Sequence, residues 1–192
     1  MKTRILMTVI CCIMACSTLF AQKLQLTGAD QQNIQQAAVD KVNRFQSSCA
    51  AIASKSNSAA QKTNYINTTM QDFQEEAMIT VTSFNGKVDK PKKVRRYLER
   101  LSLLGKRYAN IKITWAKCHI TDEFEYDANT DMYIGWAKVT QHFNAQTWER
   151  VSVGDVVERT VKIYAKLTEV YDKNRVRKRW VIKLGDISAR NI

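Results

Sequence analysis

Apolar residues at Ile34, Ala38, Val42, Phe45, Cys49 and Ile52 recur at alternating steps of three and four. That spacing predicts one long amphipathic helix with a single buried stripe. The polar run "SKSNS" ends it, and a second helix is expected from about Ala59 to Phe73, burying Tyr65, Ile66, Met70 and Phe73. In "EEAMITVTSFNG" the period changes from helical to alternating, and Asn85-Gly86 closes the segment as a turn. A third helix follows in "DKPKKVRRYLERL", with Pro91 in its first turn, a stripe of Val94, Tyr97, Leu98, Leu101 and Leu104, and Gly105 as its stop. Lys92, Lys93, Arg95, Arg96 and Arg100 form its solvent side.

The remainder alternates as strands do. "ANIKITWAKCHITDEFEY" leads to a turn at "DANTD", "MYIGWAKVTQHF" to a looser connection, "DVVERTVKIYAKLTEVY" to a basic turn at "DKNRVRKR", and "WVIKLGDISA" ends the chain's regular structure. Four long strands with short connections predict an antiparallel meander. Because neighbouring strand side chains face opposite ways, Ile111, Ile113, Trp115, Ala137, Val139, Phe143, Val161, Ile163, Ala165, Leu167, Trp180, Ile182 and Leu184 are assigned to the helix side. The outer side carries Lys112, Lys138, Lys162, Lys166, Arg177, Arg179 and Lys183 among Trp136, Tyr164 and several threonines. This basic platform with two rings is a candidate surface for anionic polymers. The competing reading is a solvated sheet face whose long cations discourage edge pairing.

The N-terminal sequence adds a compartment. "MKTRILMTVICCIMACSTLFAQ" has a basic start, an apolar run from Ile5 to Ala15 and small residues before Gln22. This is the layout of a signal peptide over residues 1–21, the run being short of the roughly 20 residues of a membrane span. Residues 22–27 are then a short lead and 28–192 one domain. An alternative reading lipidates Cys16 and anchors the protein to the outer membrane. Removing the leader takes the formal charge from +12 to +10, and all of the excess lies beyond residue 86, where 23 basic side chains face 13 acidic ones. Such a field favours anionic partners and says nothing about fold.

The order helix, helix, strand, helix and four strands (ααβαββββ), with "MQDFQEEAMITV" as a helix-to-strand passage and "KRWVIKLGDISA" as a final strand, resembles the nuclear-transport-factor-two-like (SnoaL-like, cystatin-like cone) superfamily. The resemblance implies an α+β cone in which a strongly curved antiparallel sheet wraps three helices around a pocket. Exported members commonly lack an assigned activity. Enzymes of the superfamily, such as ketosteroid isomerases, use pocket tyrosines with an acid or a histidine, but the first helix's stripe here has no Tyr, Asp or His. The expected function is an exported, non-catalytic binding or envelope-associated module. Its alternatives are a small-molecule carrier or proton-transfer enzyme using the pocket, and an anionic-polymer binder.

Parity puts His119 on the inner face and His142 on the outer, and Tyr65, Tyr97, Tyr133, Gln141 and Arg159 are further pocket candidates. A His119–Tyr97 pair has acid-base chemistry available near neutrality. Asp127, Asn129 and Asp131 begin like a calcium loop, but Met132 and Lys138 stand where Gly and Glu are required, so a hairpin turn is the better reading. The acidic cluster from Asp122 to Asp131 is a candidate contact for the basic platform of a second copy in a homodimer; an anionic polymer or an envelope protein is a separate candidate partner. Cys49 and Cys118 are candidates for a disulfide, provided a bulge near Ala116 or Lys117 turns Cys118 inward. Phosphate-binding glycine loops, dinucleotide fingerprints and paired metal-binding histidines are absent from the sequence, so no nucleotide, metal or other cofactor is implied.

Overall fold

The computed structural model describes residues 26–82, 89–172 and 175–191. The expected leader, Cys16, the expected Asn85-Gly86 turn, and Lys173 and Asn174 therefore lie outside the described residues. Helix α1 spans Gly28–Ala53 and starts on a capping box in which Thr27 and Asp30 satisfy each other's backbone N–H groups. All six stripe residues of α1 are buried. Helix α2, Ala59–Met70, starts on a second capping box, Ser58 with Gln61. It buries Ile66, but Tyr65 is exposed, and Phe73 is buried just beyond the helix end.

The third helix begins later than the sequence suggests. Lys92–Lys93 form strand β2, paired with β1 at Met78–Ile79. Pro91 thus precedes a strand, and α3 runs Val94–Ser102. Its stripe holds, with Val94, Leu98 and Leu101 buried. A single further turn, α4 at Leu104–Arg107, replaces the expected stop at Gly105.

The first long strand of the meander is broken into β3 (Tyr108–Trp115), β4 (His119–Ile120) and β5 (Glu125–Asp127), all along one edge of β6 (Met132–Thr147). Strands β7 (Ser152–Asp172) and β8 (Arg175–Asn191) follow, in the sheet order β2-β1-β8-β7-β6 with β3, β4 and β5 beyond. The sheet is mixed rather than antiparallel throughout, because β1 runs parallel to β8 at Ile79 and Ile187. Most of "NRVRKR" belongs to β8 and not to a turn. The sheet's helix-facing side and the apolar faces of α1 and α3 form the hydrophobic core.

Two irregularities decide which side chains enter that core. Between Leu184 and Ile187 β8 spends one more residue than β7 does between Ile163 and Val161. This bulge turns Ile187 inward, and the Asp186 carboxylate accepts the Met78 N–H at 2.8 Å. Between β3 and β4, Ala116–Cys118 leave the ladder, and parity reverses there. Gly135 in β6 allows the Phe124 ring to sit against the backbone: a Cβ at this position would lie 2.7 Å from Phe124 Cε1. Phe124 is itself buried. Gly135→Ala is accordingly expected to cost about 1–3 kcal/mol through overpacking, measured as a lower urea midpoint.

Candidate ligand cavity

A cavity of about 350 Å³ opens between α3, α4 and the helix-facing side of β3, β6 and β7. Strand alternation places Asp155, Val157 and Arg159 of β7 along its floor, with Gln141 and Phe143 of β6 beside them. Helix α3 contributes Tyr97, Arg100 and Leu101, and Leu104, Arg107, Tyr108 and Ile113 complete much of the wall.

Arg159 is the unusual member. Only 3% of it is exposed, and charged residues are seldom so buried without a counter-ion. Its Nε donates to Gln141 Oε1, its Nη1 donates to the Thr80 carbonyl at 3.1 Å, and its guanidinium lies 5.9 Å from the centre of the Tyr97 ring. No carboxylate among the described residues bridges it, and its hydrogen bonds to those residues run through Nε and Nη1. The cavity's two acids stand elsewhere. Asp89 is bridged to Lys92 at 2.7 Å, and Asp155 accepts from Thr82 at 3.4 Å. Asp155 and Arg159 are four residues apart along β7, roughly 13 Å at the rise of a strand. Arg100 and Arg107 are exposed at the rim.

Burial pushes the Tyr97 hydroxyl up to about 12, against the lowering influence of Arg159 and of a Gln141 hydrogen bond. The phenol is therefore a neutral donor at physiological pH. Burial likewise raises the Cys49 thiol to about 12 and the Cys118 thiol to about 11. Both cysteines are buried and free. Cys118 does turn inward at the anticipated bulge, without joining Cys49. Both thiols are expected to resist alkylation at pH 8 in the folded protein and to react in denaturant without reductant. Neutral forms are favoured in the folded state, so this contribution to stability is complete below pH 9. It is lost as pH rises from about 9 towards 12, which alkaline urea titrations would read.

Other sequence-derived candidates are placed differently. His119 is exposed on the outer face opposite Lys138, because the β3–β4 break reverses its parity. It never meets Tyr97, and the proposed acid-base pair does not exist. Tyr65 is exposed. Tyr133 is buried against Tyr126 and Trp180, away from the cavity wall. Trp115 packs on Phe45 instead of filling the cavity. Tyr97, Gln141 and Arg159 do converge. Asp155, Arg100 and Arg107 were not anticipated; the period-two run Asp155-Val157-Arg159 was the signal that would have shown the first of them.

The outer platform exists, but much of its charge is engaged. Lys162 lies 5.6 Å from the Trp136 ring centre and 5.0 Å from that of Tyr164. Lys166 bridges Asp131 at 3.0 Å, and Lys183 donates to the Gln71 carbonyl. Lys138 faces Thr160, and Arg179 faces Thr168, on the same outer side. Asp127 folds the "DANTD" turn by accepting from Asn129 N–H and the Thr130 hydroxyl, so the turn reading holds. Two carboxylates of the acidic cluster are thus used within the molecule. Among the described residues no helix is long and apolar enough to cross a membrane, and no cluster of three His, Cys, Asp or Glu side chains is arranged to hold a metal ion.

No family model, curated protein or solved structure matches this chain.

Proposed function

We propose that this is an exported, non-catalytic binding domain that takes a small amphipathic carboxylate into the cavity beside Arg159. The observation that carries the reading is the buried guanidinium that no carboxylate among the described residues bridges. That guanidinium and the neutral Tyr97 hydroxyl are suited to a carboxylate, and Leu101, Leu104, Ile113 and Val157 to an apolar body. The volume falls within the range of small-molecule sites, and Arg100 and Arg107 at the rim provide attraction for an anion. Export rests on the leader pattern, and the cone architecture of the resembled superfamily rests on helices gathered on one side of a long-stranded sheet.

The test is a thermal-shift screen of aliphatic and aromatic carboxylates beside their uncharged amides. A true ligand at a hundred times its Kd stabilises by about 2.7 kcal/mol, while the matching amide produces little shift. If no carboxylate outperforms its amide, the reading is wrong.

A further inference from the structure

The β6–β7 ladder begins at Tyr133 and Ala165, whereas the β7–β8 ladder continues outward to Asp172 and Arg175. From Lys166 to Val181 the two strands therefore pair, among the described residues, only with each other. The base of this ribbon is anchored. Trp180 packs edge-to-face on Tyr133 at 5.6 Å, and its Nε1 donates to Asp30 Oδ1 at 3.0 Å, beside the first turn of α1. Beyond the Leu167–Trp180 pair, five further pairs carry the ribbon roughly 17 Å outward at the rise of a strand.

A lone two-stranded ribbon is marginal in water, and this one leaves apolar side chains uncovered. Tyr171 is 77% exposed, Val176 54% and Val170 41%. Tyr171 stands opposite Val176, and Val170 opposite Arg177. Residues 166–181 hold six basic and two acidic side chains, and Arg175, Lys178 and Arg179 are exposed. Apolar tips, an amphipathic phenol and surrounding cations together match one kind of surface.

We propose that this ribbon docks on an anionic phospholipid bilayer. Val170, Tyr171 and Val176 enter the interfacial region, and Arg175, Lys178 and Arg179 meet the headgroup phosphates. A polyanion would use the cations but not the valines. A second copy is a poor occupant, because its own ribbon carries the same charge and Asp127 and Asp131 are already used within the molecule. Helix α1 starts at the ribbon's base, so the described chain begins at the end of the molecule that would face the membrane. The surface lies apart from the Arg159 cavity, and the two proposals stand independently.

Vesicle co-sedimentation of the whole chain tests it, using phosphatidylcholine vesicles with and without phosphatidylglycerol, and parent and variants share any contribution from residues 1–25. The parent is expected to prefer anionic vesicles and to lose that preference as salt is raised. Replacing Arg175, Lys178 and Arg179 by Gln should weaken partitioning about a hundredfold, roughly fivefold for each cation. Tyr171→Ser with Val176→Ser should weaken it about tenfold, with circular dichroism and thermal midpoint unchanged because these side chains are exposed. Should the double variant misfold, Tyr171→Ser alone carries the same test. Equal binding to neutral vesicles, or variants that partition like the parent, would overturn the proposal. So would tighter binding to heparin or single-stranded DNA that survives loss of Tyr171 and Val176.

Discussion

Phe45→Ala is expected to lower the unfolding free energy by about 3–5 kcal/mol, the usual cost of deleting a buried phenyl ring. Phe45 is 2% exposed and meets Phe73 and Trp115 edge-to-face, at centroid separations of 5.3 and 6.1 Å. One ring thus joins α1, the segment after α2, and β3. Removing it leaves a cavity lined by groups that cannot easily collapse, since Trp115 is held in the β3–β6 ladder opposite Gln141. For a domain whose total stability is about 5–15 kcal/mol, the loss is a large fraction. Urea denaturation would show a lower midpoint at an unchanged slope. Asn43→Ala, two residues away on the exposed face of α1, should stay within about 0.5 kcal/mol of the parent. A cost at Phe45 below about 1.5 kcal/mol would contradict this packing.

Arg159→Met is expected to separate binding from folding. A structural keystone would cost about 3–5 kcal/mol on removal, as when one partner of a buried ion pair is deleted. Among the described residues Arg159 has no carboxylate partner to abandon. The methionine relieves the desolvation of a charge while forfeiting the donations to Gln141 and Thr80. These opposing effects should leave folding within about 2 kcal/mol of the parent. Binding of a carboxylate should meanwhile fall at least about thirtyfold, since truncating one side of a buried charge pair costs about 2–5 kcal/mol. Arg159→Lys should fold well and recover only part of the affinity, because an ammonium lacks the guanidinium's fork. Calorimetric titration with the best carboxylate from the screen, beside urea denaturation, reads both quantities. A large loss of stability with unchanged affinity would make Arg159 purely structural.

Charge around the cavity divides in the same way. In "DKPKKVRRYLERL" the solvent-side reading survives for Arg95 and Arg96, which are exposed on α3. Lys92 and Lys93 instead sit in β2, bridged to Asp89 and Glu76 at 2.7 Å each. Arg100 contributes to the cavity rim. A basic run that looks uniform in sequence thus supplies a strand pairing, a helix surface and part of a binding site.

Local periodicity was enough to identify six of the seven buried residues of α1, the stripe of α3 and the inner face of β6 through β8. Those faces are set by neighbours a few residues apart, and the helix and strand repeats translate spacing directly into direction. Parity failed where one extra residue entered a strand. His119 and Cys118 exchanged faces after the break at Ala116–Cys118, and Ile187 turned inward after the bulge at Gly185-Asp186. The parallel pairing of β1 with β8, the burial of Arg159 apart from every described carboxylate and the extension of the β7–β8 ribbon beyond the end of β6 were decided only by tertiary structure. Each depends on which distant segments meet and where their pairing stops, and no spacing within a single segment encodes that.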